Sequence, residues 1–60
     1  MTHEQAYKSA RKAAKKHCDT RIVYYDLDYA AFGQCKLETW EFWIDEGIVS
    51  DSELRDVVYG

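Results

Sequence analysis

The chain predicts an α+β fold: an N-terminal amphipathic helix, a short antiparallel β-hairpin, and one or two short C-terminal helices. Three stretches carry that expectation. Residues 3–17 set alanines and basic residues at helical spacing, Arg21–Leu27 reads RIVYYDL, and residues 37–47 read LETWEFWIDEG. Sixty residues allow one domain, here 1–60. A chain of this size buries only about 60% of the surface its unfolded form exposes. Proline is absent, and no linker or repeat divides the chain.

The first helix is expected over residues 3–17. Thr2 followed by Gln5 fits a capping box, in which each side chain satisfies an orphan backbone donor of the other. Glu4 lies at the positive end of the helix dipole; Lys15, Lys16 and His17 lie at the negative end. Glu4 and Lys8 form a favourable i,i+4 pair. Tyr7, Ala10, Ala14 and Cys18, with Ala13 and His17 beside them, trace an apolar stripe. Lys8, Arg11, Lys12, Lys15 and Lys16 fall mainly opposite it. So much alanine permits close packing on a small sheet.

RIVYYDL is β-branched and aromatic and reads as a strand. A strand needs a neighbour to satisfy its backbone. Either Asp26–Asp28 turns the chain into Tyr29–Phe32, with Gly33 ending the hairpin, or the partner lies within residues 35–43. As a strand, residues 35–44 present no cleanly apolar face. As a helix, they line Leu37, Trp40, Trp43 and Ile44 on one side, with Glu38, Glu41 and Asp45 on the other, which matches the helical template better. Gly47 then suits a left-handed C′ position, followed by Ile48 as its hydrophobic contact. Further on, Ser50 and Glu53 suggest a second capping box, and Leu54, Val57 and Val58 recur at helical spacing. A helix over 51–58 is expected, with a terminal edge strand at Val57-Val58-Tyr59 against RIVYY as its alternative.

The nine aromatic residues exceed what so small a core can hide. Trp40 and Ile44 are expected to form the core with Tyr7, Ile22 and Leu54. Phe42 and one tyrosine are expected outside, with Trp43 near the boundary.

No catalytic or metal signature emerges. His3, His17, Cys18 and Cys35 match neither CxxC nor HxxxH spacing. His17 and Cys18 diverge by about 100° on a helix. His17 is better explained by the dipole, and Cys18 as a small buried hydrophobe. Turn chemistry accounts for Asp26 and Asp28, and the chain leaves little room for a pocket of several hundred Å³. No enzymatic activity and no cofactor are therefore expected.

Charge is unevenly spread. Residues 1–21 carry a balance of +4, and residues 34–60 a balance of −5, within a net charge of −3. Such a dipole bears on partners more than on fold. The basic face (Lys8, Arg11, Lys12, Lys15, Lys16) fits phosphates or an acidic protein surface. The acidic pI near 5.2 ranks nucleic acid behind protein as a partner. Glu38, Glu41, Phe42, Trp43 and Asp45 form the candidate partner-binding surface, since interfaces concentrate their energy in aromatic anchors. A second copy of the chain, giving a homodimer, is another cover for surplus aromatics. No stretch is apolar enough to span a membrane, no signal-peptide pattern opens the chain, and two cysteines do not make a disulfide scaffold. A cytoplasmic protein with reduced thiols is expected.

In size, aromatic richness, acidic balance and lack of a catalytic motif, the chain resembles the small accessory proteins of bacteriophages, anti-CRISPR and host-takeover inhibitors among them. That resemblance implies action in the host cytoplasm by occluding a larger host protein or complex.

Overall fold

The computed structural model describes residues 1–60 as two helices and a three-stranded antiparallel sheet. In chain order these are α1 (His3–His17), β1 (Arg21–Asp26), β2 (Ala31–Lys36), α2 (Leu37–Asp45), a single 3₁₀ turn at Asp51–Glu53, and β3 (Leu54–Val58). Sheet order is β2-β1-β3, so β1 is the central strand.

Alternation along β1 assigns the layers, because successive strand residues point to opposite faces. Val23 packs with Ala6, Ala10 and Ala14 of α1 and with Val58, while Phe32 leans on that cluster. Ile22 packs instead with Cys35 and with Trp40 of α2, joined by Tyr24, Trp43, Ile44, Val49 and Leu54. The sheet is thus covered by α1 on one face and α2 on the other. No helix is long and apolar enough to cross a membrane.

α1 begins as its sequence implies. The Gln5 backbone N–H donates to Thr2 Oγ1 at 3.2 Å, and the Thr2 N–H donates to Gln5 Oε1 at 3.0 Å. Its buried stripe keeps the expected Ala10 and Ala14, both fully buried, but begins at Ala6, also fully buried, whereas Tyr7 lies at the margin. Only a methyl fits where the helix meets the sheet. Tyr7 therefore does not join Trp40, which lies across the sheet, and stacks beside His3 with ring centroids 6.4 Å apart. Cys18 also departs from expectation. It is exposed and caps α1 in left-handed conformation at φ 52°, its N–H donating to the Ala14 carbonyl.

In the hairpin, Asp26 Oδ1 accepts from the Asp28 N–H at 2.9 Å, the turn chemistry its sequence suggested. The return strand is Ala31–Lys36, neither Tyr29–Phe32 nor a segment reaching residue 43. Gly33 consequently sits within β2, opposite Tyr24, instead of ending the hairpin. A Cβ on Gly33 would lie 2.7 Å from the Tyr24 hydroxyl, so the tyrosine ring lies over the glycine and covers the backbone it leaves bare.

α2 is helical, and its end is a Schellman motif. Gly47, at φ 73°, donates its N–H to the Ile44 carbonyl at 3.1 Å, and Ile48 donates to the Trp43 carbonyl at 2.9 Å. The expected helix over 51–58 is replaced by the 3₁₀ turn and β3. Ser50 makes no side-chain cap; its carbonyl accepts from the Glu53 N–H instead. The reason is tertiary: β1 has a second edge to satisfy, and Val57-Val58 is β-branched, so pairing with β1 outweighs local helical spacing. The strand is longer than the Val57–Tyr59 alternative and carries a bulge at Arg55, where Val23 pairs with Asp56 but Tyr24 with Leu54.

Candidate functional site

α2 presents two kinds of aromatic residue. Trp40 is 5% exposed and lies against Tyr24 at 5.6 Å between centroids. Trp43 is half-buried, meeting Tyr24 edge-on at 5.7 Å and Trp40 at 6.5 Å. Phe42, one residue earlier, is 58% exposed. Helical spacing brings Glu38 and Asp45 beside Phe42 on the outer surface, with Glu41 adjacent, and all three carboxylates are exposed. Of the five residues of the expected partner surface, four share the outside of α2. Trp43 turns inward. The sequence leads one to expect one exposed tyrosine; the two most exposed lie away from α2, Tyr29 at the hairpin tip and Tyr59 beyond β3.

Trp43 turns toward an open groove of about 290 Å³ at the hairpin end of the α2-covered face. Tyr24 and Trp43 form its inner corner. Its apolar walls are Leu27 from the hairpin loop and Ile48 and Val49 from the segment after α2. Its charged groups are Asp26, Asp28 and Glu53, and no basic residue lines it. None of these carboxylates is in a salt bridge; those of the molecule are His3–Asp56, Lys8–Glu4 and Arg21–Asp19. Leu27 and Ile48 are 69% and 61% exposed. The sequence did not reveal this groove, because its walls come from three separated segments. The one available signal was apolar Leu27 and Ile48 standing within turns.

On the opposite side, Lys8, Arg11, Lys12, Lys15 and Lys16 are all exposed along α1. Lys8 reaches Glu4 at 3.3 Å, and the other four have no ionic partner. At the end of α1, Arg21 is the buried charge, held in a two-pronged pair with Asp19 at 2.9 and 3.1 Å. The hydrogen bond from Arg21 holds the Asp19 carboxyl below its ordinary value of 3.8.

The cysteines contrast. Burial pushes the Cys35 thiol up to about 11, which keeps it protonated at neutral pH and a poor nucleophile. Burial likewise raises the Tyr24 hydroxyl above 10. Cys18 is exposed, and its thiol points back to the Lys15 carbonyl at 4.0 Å rather than to a base.

Comparison with protein-family models, with curated proteins and with solved structures gives no match to this chain.

Proposed function

We propose that this chain is a non-enzymatic protein-binding module that docks through the outer face of α2, with Phe42 as its anchor and Glu38, Glu41 and Asp45 selecting a basic partner surface. The supporting observation is Phe42 itself. A phenylalanine 58% exposed among three carboxylates contributes little to a core that Trp40 already fills. Aromatic anchors at the centre of an interface are where binding energy concentrates. Alongside the resemblance to small phage inhibitors, this favours a phage-encoded modulator acting on a host protein complex in the host cytoplasm.

The test is affinity capture from bacterial lysate with the immobilised protein, followed by binding measurements on whatever is captured. Phe42→Ala is expected to weaken binding by at least about 30-fold, the equivalent of a 2 kcal/mol hot spot. Capture unchanged by Phe42→Ala would remove the proposed anchor.

A second reading rests on the four unpaired cations Arg11, Lys12, Lys15 and Lys16, which suit a phosphate backbone and a regulatory role on nucleic acid. It requires duplex DNA binding that strengthens as salt is lowered. No binding at low salt would eliminate it. For a homodimer, the melting temperature must rise with protein concentration.

A further inference from the structure

We infer that the groove beneath the hairpin loop is a docking site for an arginine side chain carried by an apolar segment of a partner protein. The inference rests on the protein-binding reading above but uses a different surface from Phe42. Its charge complementarity is one-sided: Asp26, Asp28 and Glu53 line the groove, with neither a basic lining residue nor a salt bridge to neutralise them. Asp26 spends Oδ1 on the hairpin turn, whereas Asp28 and Glu53 make no side-chain hydrogen bond. The inner corner is aromatic, with Tyr24 and Trp43 at 86° to each other. Carboxylates beside aromatic rings match the two recognition properties of a guanidinium, which pairs through its fork of donors and stacks on rings. Lysine, as a strongly hydrated point charge, uses the first and gains less from the second.

Size and apolar walls narrow the occupant further. At about 290 Å³ the groove falls just below the range of about 300–1,000 Å³ typical of small-molecule sites. It has room for one long side chain with part of its backbone. A surface that only kept the protein soluble would not need Leu27 and Ile48, both mostly exposed and both lining the groove. Those two residues suit apolar neighbours of the arginine, so a peptide segment fits better than a free cation.

The probe is a capped Leu-Arg-Leu peptide, titrated into the full chain and followed by the amide resonances and the tryptophan indole resonances. Saturable shifts are expected at the Trp43 indole and at the Leu27 and Ile48 amides. The same peptide with neutral citrulline for arginine is expected to bind at least tenfold more weakly. Asp28→Asn with Glu53→Gln should weaken the arginine peptide at least fivefold while leaving the melting temperature within a few degrees; Asp26 is spared because it holds the turn. Several results would overturn the inference: no shifts in the groove at millimolar peptide, equal binding of the citrulline peptide, equal binding of free arginine amide, or shifts confined to α1. Displacement of a second copy, seen as a peptide-dependent fall in molecular mass, would also overturn it by assigning the groove to self-association. The Phe42 reading fails separately. If Phe42→Ala abolishes capture while the arginine peptide leaves the groove resonances unmoved, the binding module stands and only the groove assignment falls.

Discussion

The two faces of the sheet are covered by opposite means. On one side α1 lays Ala6, Ala10 and Ala14, all fully buried, directly onto Val23 and Val58. On the other, the shorter α2 meets Ile22 and Cys35 through Trp40, with Trp43 and Tyr24 packed around it. Methyl groups let a helix lie close along the sheet and seal it. Tryptophans hold a helix off and fill the space only where a ring reaches, and the groove at the hairpin end lies where the rings stop. One face is therefore closed by backbone proximity, while the other is closed by side-chain bulk and stays open at its end. The charges divide the same way, with cations outside α1 and carboxylates outside α2.

Substitutions can separate the two modes. Trp40→Ala should have the largest effect, because truncating a buried tryptophan costs about 3–5 kcal/mol. A chain of this length has roughly 3–9 kcal/mol of stability in total, from 0.05–0.15 kcal/mol per residue. Chemical denaturation should show most or all of that stability gone. Ala10→Leu tests the opposite face by adding volume where none is available, and should cost about 1–3 kcal/mol. If Ala10→Leu proved neutral, α1 would not be packed as closely as its alanines indicate.

The faces should also differ in how pH weakens them. Cys35 and Tyr24, on the α2 side, have raised values. The Cys35 contribution is full below the unfolded thiol value near 9 and is lost as pH rises toward about 11. That of Tyr24 is lost only above its ordinary value of 10. Asp19, at the end of α1, has a lowered value, so its contribution is present above 3.8 and is lost as pH falls below it. Melting temperatures across pH should show both limbs. Cys35→Ser should make the alkaline limb shallower, leaving the share of Tyr24, and leave the acid limb unchanged. The smallest effect belongs to Phe42→Ala, where stability should change by no more than about 0.5 kcal/mol, as for ordinary surface positions. A larger loss would place Phe42 in the fold and remove it as a free anchor.

What could be read in advance follows from how local each cause is. The start of α1 was legible because Thr2 and Gln5 satisfy each other within one turn. The end of α2 was legible because Gly47 alone suits the left-handed position. Ala10 and Ala14 were legible in the α1 stripe, but its first residue was not, since only contact with the sheet decides between Ala6 and Tyr7. The segment from Leu54 to Val58 carried both helical spacing and β-branching, and the unpaired edge of β1 chose between them. For the candidate site, Phe42 and its carboxylates came from a single helix period. Groove residues from Tyr24 to Glu53 are joined only by the fold.

The strand order has a kinetic consequence. β1 and β2 are joined by a short loop, whereas β3 reaches β1 only after α2 and its following segment have been laid down. Contacts between residues distant in sequence carry the larger closure entropy and slow folding. Pairing of β3 is therefore expected late in folding, and its release early in unfolding. Glu53 immediately precedes β3, and Ile48 and Val49 lie on the segment leading to it. The groove is thus completed with the last strand, and an occupant held across it would act as a latch, lowering the unfolding rate by keeping β3 in place.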